Sequence, residues 1–273
     1  MMSQSNVADG SPDPLSAAVA QRDSNVIGMV AEALRRGDVM LAYQPVVLAR
    51  QPDRAAFHEA LIRITDETGR VIPAVQFMDV AETHELGRII DCHALRLGLR
   101  DLHDQPDLRL SINMSARSIG YPAWVETLER GLACAPTVAE RLILEITETS
   151  AMVMPDIVSV FMAGLARRGI TFALDDFGAG FTAFRHFKDF YFDILKIDGQ
   201  FVRGIDSDPN NQVLASALVS IGRHFDMMTV AESVETGAES AWLAAAGFDC
   251  LQGYHHGAPM ILPPWKQAAQ QRA

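Results

Sequence analysis

The stretch LAYQPVVLARQPDRAAFHEALIRI, residues 41–64, decides the fold. It contains two apolar runs typical of β-strands, residues 41–47 and 57–64, with fewer than ten residues between them. Two neighbouring parallel strands need a connection of about a dozen residues or more, which is usually a helix. The connection here is too short, so we expect the first two strands to be antiparallel.

Six further apolar runs follow this pair, and most are separated by segments with the periodicity of amphipathic helices. They lie at residues 108–115, 141–148, 170–178, 193–198, 228–235 and 250–254. Near-continuous hydrophobicity is typical of parallel strands buried on both faces. The pattern predicts an α/β protein, a modified TIM (β/α)8 barrel with an antiparallel first strand. An open, doubly wound sheet is the alternative, because sequence pattern does not show closure.

Composition limits the class of protein. The chain has 273 residues, of which 49% are hydrophobic, and 34 acidic against 23 basic residues give a net charge of −11. This balance excludes a wholly disordered chain and argues against a protein that binds long nucleic acids or an anionic membrane through bulk charge. We expect no membrane segment, because no run reaches the roughly 18 apolar residues that a spanning helix needs. Three scattered cysteines without a CxxC pair predict buried, reduced thiols and a cytoplasmic protein.

The chain divides into two parts by composition. Residues 1–23 are rich in Ser, Asp, Pro and Gln and predict a disordered N-terminal tail. Residues 24–273 have uniform composition without a linker, which predicts one domain.

Polar residues interrupt the apolar runs, mostly towards the C-terminal ends of the predicted strands. They are Glu59, Asn113, Glu145, Glu148, Asp175, Asp176, Lys196, Asp198, Glu232, Glu235 and Gln252. In a barrel these ends converge on one mouth, where active sites lie. Carboxylates brought together there repel one another, and a divalent cation removes the conflict. Asp, Glu and Asn oxygens favour a hard ion such as Mg²⁺, Mn²⁺ or Ca²⁺ over zinc.

The adjacent pair Asp175 and Asp176 could serve two ions, an arrangement that recurs in enzymes hydrolysing phosphate esters. Lys196 adds a cation that could orient the attacking water, and Arg63 offers a forked contact to a phosphate oxygen. Each residue alone also fits a structural role, as a helix cap, a surface charge or an ion pair. The series is more informative, since six successive predicted strands each carry an acid or an Asn.

These residues resemble the EAL family of cyclic di-GMP phosphodiesterases over about residues 25–265. The matching segments are YQP (43–45), EALIR (59–63), SINMSA (111–116), EITE (145–148), DDFGAG (175–180), KID (196–198), AESVE (231–235) and QGY (252–254). The resemblance implies a modified barrel that hydrolyses one phosphodiester of cyclic di-GMP to give linear pGpG. It implies Mg²⁺ or Mn²⁺ as cofactor, with Ca²⁺ as a candidate inhibitor, and a homodimer.

The resemblance also implies a role for each matching residue. Ligands of a first metal ion would be Glu59, Asn113, Glu145 and Asp175, and ligands of a second would be Asp175, Asp176 and Glu232. Lys196 would position or activate the nucleophilic water, with Gln252 nearby, so that Lys196, Glu59, Glu232 and Gln252 form the catalytic set. Arg63 would contact the substrate phosphate, Gln44 and Glu235 would line the groove, and Glu148 would brace the loop after Asp176.

That loop departs from the usual family pattern DDFGTGYSSL. Ala179, Phe181 and Ala183 replace a threonine, a tyrosine and a serine. The departure motivates an alternative function, a catalytically weak or inactive cyclic di-GMP receptor or interaction module. A third interpretation is a barrel enzyme acting on another phosphorylated or enolisable substrate. The sequence contains no recognisable sensor domain, so a regulatory protein partner is a further expectation.

Overall fold

The computed structural model describes residues 13–178 and 190–270. Nine strands form one sheet in this part of the chain. They are β1 Val39–Leu48, β2 Gln51–Thr65, β3 Val71–Pro73, β4 Leu110–Asn113, β5 Leu142–Thr147, β6 Thr171–Phe177, β7 Ile194–Ile197, β8 Met228–Ala231 and β9 Cys250–Gln252.

Eight of these strands close into a barrel. The order is β1-β9-β8-β7-β6-β5-β4-β2, and β1 also pairs with β2, which completes the ring. β1 is antiparallel to both of its neighbours, whereas every other pair in the ring is parallel. The predicted barrel with an antiparallel first strand is therefore confirmed, and closure excludes the open doubly wound sheet. β3 lies outside the ring, antiparallel to β2.

The β1–β2 hairpin is tighter than its apolar runs indicate. β2 begins at Gln51 because residues 51–56, most of them exposed, also belong to the strand, and Leu48 pairs directly with Gln51. The register places Gln44 opposite Glu59, while β9 places Gln252 opposite Val46. Three polar side chains from adjoining strands are thereby brought to the same end of the barrel.

Helices cover the outside of the ring. They are α1 Pro14–Arg36, α2 Met78–Ala81, α3 Glu85–Asp104, α4 Pro122–Cys134, α5 Glu148–Val153, α6 Pro155–Ala166, α7 Pro209–His224, α8 Gly237–Ala246 and α9 Pro264–Gln270. No helix among the described residues is both long and apolar enough to cross a lipid bilayer.

Helix α1 begins earlier than the sequence pattern indicates. Residues 14–23 were expected to belong to a disordered tail, but they form the first turns of this helix. The segment contains good helix formers such as Ala17, Ala18 and Ala20, yet nearly all of it is exposed. A helix that buries nothing leaves no apolar periodicity in its sequence, so the pattern could not reveal it. Residues 1–12 lie outside the described residues.

The inside of the barrel is divided into an apolar layer and a polar layer. Side chains that point inwards alternate along each strand, so the next inward position is two residues on. The apolar layer contains Val46, Phe57, Ile143, Ala173, Ile194, Val230 and Cys250. Two positions further towards the mouth the inward residues are Gln44, Glu59, Glu145, Asp175, Lys196, Glu232 and Gln252. A larger apolar core lies between the strands and the surrounding helices.

The three cysteines are all free thiols, as expected, but they are not all buried. Cys250 belongs to the apolar layer of the barrel, whereas Cys134 is exposed at the end of α4. The expectation of a buried thiol is therefore wrong for Cys134, because the last turn of this helix faces solvent.

Helix α4 packs closely against α3, which in turn lies against the barrel, and a glycine permits the close approach. A Cβ atom at Gly131 would lie 2.5 Å from Cδ1, 3.0 Å from Cγ and 3.1 Å from Cβ of Leu99. We predict that Gly131→Ala lowers the free energy of unfolding by about 1–2 kcal/mol, because the clash outweighs the gain in helix propensity. Urea denaturation measures this difference.

Gly164 in α6 is the matched control, since a Cβ atom there would meet nothing within 4 Å. Gly164→Ala is expected to raise the free energy of unfolding by about 0.5–1 kcal/mol through helix propensity alone. Equal stabilisation by both substitutions would contradict the packing argument.

Candidate active site

Lys196 is the centre of the polar layer. Its side chain is 1% exposed, and its Nζ atom lies 2.7 Å from Glu145 Oε2, 2.9 Å from Asp175 Oδ1 and 2.9 Å from Glu232 Oε1. Glu59 Oε2 is more distant, at 3.4 Å. The four carboxylates lie on or directly after four different strands, so the closed ring is what brings them to one ammonium group.

Amide side chains hold Glu59 in place. Asn113 donates through Nδ2 to Glu59 Oε1 at 2.8 Å, and Gln252 donates through Nε2 to Glu59 Oε2 at 2.6 Å. Gln252 also donates to Gln44 Oε1 at 3.2 Å, and Gln44 donates to the carbonyl oxygen of Gly257 at 3.1 Å. The antiparallel β1 thus supplies the outer end of a hydrogen-bonded chain that reaches Glu59.

The carboxylates form two overlapping groups. Oxygens of Glu59, Glu145 and Asp175 lie within 4.8 Å of one another, as do oxygens of Asp175, Asp176 and Glu232. Asp175 belongs to both groups. Asp176 has a φ of 54°, a left-handed backbone conformation that is uncommon for residues other than glycine. Its carboxylate joins the second group even though the regular alternation of β6 would point it outwards.

Burial and charge shift the pKa values of these groups. Burial raises the pKa of Glu145 to about 8, although Lys196 opposes the shift. Burial also raises the pKa of Glu232 well above its usual value, and burial together with Asp175 raises the pKa of Asp176 to about 6. For Glu59 burial is outweighed by Lys196 and by the hydrogen bonds from Gln252 and Asn113, so its pKa falls.

Lys196 stays charged in this setting. Burial alone would lower the pKa of its ammonium group, but the surrounding carboxylates raise the pKa well above its ordinary value. One ammonium cannot balance five carboxylates, and the set carries a net charge of −4 when every member is ionised. Two divalent cations would neutralise it.

The donor set fits divalent metal ions. Glu145 is buried, and its Oε1 atom accepts no hydrogen bond from any described residue. A buried carboxylate oxygen without a donor is costly unless an ion occupies the space next to it. All the candidate ligand atoms are oxygens, which suits Mg²⁺ or Mn²⁺.

Two clefts open above the polar layer and meet at Glu59 and Asp176. The first has a volume of about 470 Å³, and its lining includes Gln44, Arg63, Arg203, Glu232, Glu235 and Gln252. The second has a volume of about 450 Å³, and its lining includes Asn113, Asp175 and Asp91. Arg63 lines the first cleft, and its Nη1 atom donates to the carbonyl oxygen of the neighbouring Ile62 at 2.8 Å.

Glu148 contacts the backbone at the end of β6. Its Oε2 atom accepts a hydrogen bond from the backbone N–H of Gly178 at 3.1 Å, directly after β6. The altered positions Ala179, Phe181 and Ala183 lie outside the described residues.

The structure adds residues that the sequence analysis did not assign. Arg203 lines the first cleft, and Asp91 in α3 accepts hydrogen bonds from Ser115 N at 3.0 Å and Ser118 Oγ at 2.6 Å. Neither has a sequence signal, because each is an ordinary polar position until the chain is folded. Glu239 in α8 is different, since the spacing Thr236-x-x-Glu239 before an apolar run is a recognisable capping box.

Comparison with known proteins agrees with this geometry. Residues 27–259 match the EAL domain family, so the chain belongs to that family. MucR of Pseudomonas aeruginosa, a bifunctional diguanylate cyclase/cyclic di-GMP phosphodiesterase, is 32% identical over 250 residues, which cover 89% of this chain and 36% of MucR. The cyclic di-GMP phosphodiesterase PdeF of Escherichia coli is 29% identical over 241 residues, covering 87% of this chain and 32% of PdeF. The chain therefore spans about a third of the length of these relatives.

Solved structures show the same architecture. The PaMucR phosphodiesterase in complex with c-di-GMP superposes with a TM-score of 0.76 at 30% identity, covering 89% of this chain and 99% of that one. The FimX EAL domain from Pseudomonas aeruginosa bound to c-di-GMP gives a TM-score of 0.79 at 25% identity, covering 87% and 97%. The predicted EAL resemblance and the modified TIM barrel are thus confirmed.

The raised pKa of Glu145 predicts a pH-dependent stability that metal ions change. A carboxyl whose pKa rises from 4.5 to about 8 on folding stabilises the fold fully below pH 4.5, and this contribution is lost as the pH rises through 8. Without metal we expect the free energy of unfolding to fall between pH 6 and pH 9. Mg²⁺ binds the ionised form, so it should reduce that fall.

Urea denaturation at pH 6, 7, 8 and 9, in EDTA and in millimolar Mg²⁺, checks this expectation. The variant Glu145→Gln has no proton to lose at this position and should show a smaller metal-free decline. An identical decline with and without Mg²⁺ in the unsubstituted protein would contradict a metal-binding role for the cluster.

Proposed function

We propose that this chain is a metal-dependent phosphodiesterase that hydrolyses one phosphodiester bond of cyclic di-GMP and releases linear pGpG. The observation that carries the proposal is the pair of overlapping carboxylate groups around Lys196, at the bottom of a cleft that also contains Arg63. The named activities of the EAL relatives support the choice of substrate.

Two ions, Mg²⁺ or Mn²⁺, would complete the site. Glu59, Asn113, Glu145 and Asp175 would hold one, and Asp175, Asp176 and Glu232 would hold the other. When bound, such ions activate a water molecule and neutralise the charge that develops on the phosphoryl oxygens. The same acidic oxygens are also suitable ligands for Ca²⁺, so we include this ion as a candidate inhibitor.

The chain's own residues would bind and orient the substrate. Lys196 carries a fixed positive charge in a buried place, where it can orient the attacking water and stabilise charge on the phosphoryl group. Arg63 can donate to a non-bridging phosphate oxygen from the wall of the cleft. Gln44 and Glu235 would contact the nucleotide further out, and Gln252 holds Glu59 in a fixed orientation.

A turnover assay tests the proposal. The purified protein is incubated with cyclic di-GMP in Mg²⁺, Mn²⁺ or Ca²⁺, and the nucleotides are separated by chromatography. We expect catalytic formation of pGpG with Mg²⁺ or Mn²⁺ and none with Ca²⁺. A folded protein that binds cyclic di-GMP by calorimetry but turns over none of it would replace this proposal with the receptor function.

Glu59→Gln is expected to reduce kcat by at least about a hundredfold, because it removes a charged ligand and leaves the shape of the side chain unchanged. Glu129→Gln serves as the control, since Glu129 is exposed on α4 and contacts Arg168 at 2.5 Å instead of the cleft. Steady-state kinetics in Mn²⁺ compares the two. A Glu59→Gln protein with undiminished kcat would show that this carboxylate does not hold an ion needed for the reaction.

A further inference from the structure

Glu239 is a buried carboxylate whose contacts exceed what a helix cap requires. It lies in the first turn of α8, and its residue is 4% exposed. Its backbone N–H donates to Thr236 Oγ1 at 3.2 Å, and its Oε2 accepts from Thr236 N at 2.9 Å, which completes the capping box. The box leaves Oε1 free for other use.

Oε1 accepts a hydrogen bond from Gly204 N at 2.7 Å, and Oε2 accepts a second one from Glu235 N at 2.8 Å. Gly204 belongs to the segment between β7 and α7, residues 198–208, which we call the β7–α7 segment. Glu235 belongs to the segment between β8 and α8, residues 232–236, the β8–α8 segment. One carboxylate therefore ties together two segments that have no capping relation to each other.

Both segments line the first cleft. The β7–α7 segment contributes Arg203, the residue before Gly204, and the β8–α8 segment contributes Glu235. Arg203 Nε lies 3.8 Å from Glu235 Oε1, and both side chains are more than half exposed. An exposed ion pair of this length contributes little to its own placement, so the backbone must fix where the two side chains stand.

The rest of the β8–α8 segment has independent support. Glu232 N donates to the carbonyl of Ile197 at 3.1 Å, which continues the strand pairing, and Val234 N donates to the carbonyl of Gln252 at 2.9 Å. The backbone of Glu235, by contrast, has its N–H held by Glu239. In the β7–α7 segment Arg203 N donates to the carbonyl of Gly199 at 2.9 Å, so the carboxylate of Glu239 acts on the next residue, Gly204. Loss of this carboxylate should therefore free the N–H groups of Glu235 and Gly204, let the two segments move apart, and leave Glu232 in place.

We propose that Glu239 is a positioning residue of the cleft, whose carboxylate holds the β7–α7 and β8–α8 segments together and so sets where Arg203 and Glu235 meet the substrate. The proposal rests on the proposed function for the identity of that substrate. Arg203 supplies a second cation to a cleft that already contains Arg63, which suits a substrate with two phosphodiester groups.

Amide hydrogen exchange tests the tie directly. Glu239→Gln keeps the side-chain shape but has one acceptor oxygen, so its NH₂ group must face either Gly204 N–H or the N–H groups of Glu235 and Thr236. We expect faster exchange at the amide of Gly204, at the amides of Glu235 and Thr236, or at all three. Protection of the amides in β8 should not change. Unchanged exchange at all three amides would overturn the proposal.

Kinetics and binding separate a positioning role from a loss of stability. Glu239→Gln should raise the KM for cyclic di-GMP by about tenfold and change kcat by less than about twofold. Val158→Ala, a fully buried change in α6, is the control that lowers stability and leaves KM unchanged. Arg203→Ala alters an exposed side chain and should raise KM by itself. A fall in kcat at constant KM would contradict the proposal.

A mutant cycle tests whether Glu239 affects KM through Arg203 and Glu235. In the Arg203→Ala/Glu235→Ala background, Glu239→Gln should add less than about a twofold change in KM, because the groups that it places are gone. Full additivity would overturn the proposal. If the protein does not turn over cyclic di-GMP, calorimetric affinity in Ca²⁺ replaces KM and the exchange experiment is unaffected. The failure of the proposed function is then distinct from the failure of this inference.

Discussion

The buried ammonium group of Lys196 is the interaction on which the rest of the site depends. Taking a lysine and several carboxylates out of water is expensive, and only close, well-placed partners repay the cost. Glu145, Asp175 and Glu232 approach it within 3 Å from three separate strands. One lysine does not neutralise the excess negative charge of these carboxylates. Burial therefore raises the pKa of Glu145 to about 8 in spite of the nearby ammonium group. The fold thus holds together a set of oxygens that is incomplete without further positive charge.

The two-residue period of the β-strand explains how the sequence builds this arrangement. In the parallel strands, an inward apolar residue is followed two positions later by an inward polar one, as in Ile143 and Glu145 or Ile194 and Lys196. In the antiparallel β1 the order is reversed, and Gln44 precedes Val46. The apolar layer seals the bottom of the barrel and excludes water below the charges. This exclusion strengthens every electrostatic interaction above it. The same alternation that stabilises the barrel therefore also shifts the pKa values of its acidic residues.

Much of this could be predicted from sequence, because it depends on local rules. The short connection after residue 47 required an antiparallel first strand, and polar residues at strand ends required a common mouth. Other features depend on contacts between distant residues and left no local pattern. In the sequence, Asp91 is an ordinary polar position of a helix and Arg203 an ordinary basic residue of a loop. Their places at the mouth follow only from the packing of α3 and the β7–α7 segment around it. The start of α1 was missed for a different reason, since the first turns of this helix are almost wholly exposed and carry no apolar periodicity.

The reversed direction of β1 has a consequence for the chemistry of the mouth. In a regular barrel every strand would present its C-terminal end there, but β1 presents residues nearer its middle, and Gln44 stands opposite Glu59. The neighbouring Gln252 can then donate to both, which fixes Glu59 from one side while Asn113 fixes it from the other. A carboxylate held by two amides and near a lysine keeps a low pKa, unlike Glu145 a few ångströms away. Lys196 and the two amides thus favour the ionised form of Glu59, and the antiparallel strand contributes indirectly, because Gln44 accepts a hydrogen bond from Gln252. The negative charge on Glu59 can attract a metal ion to the cluster.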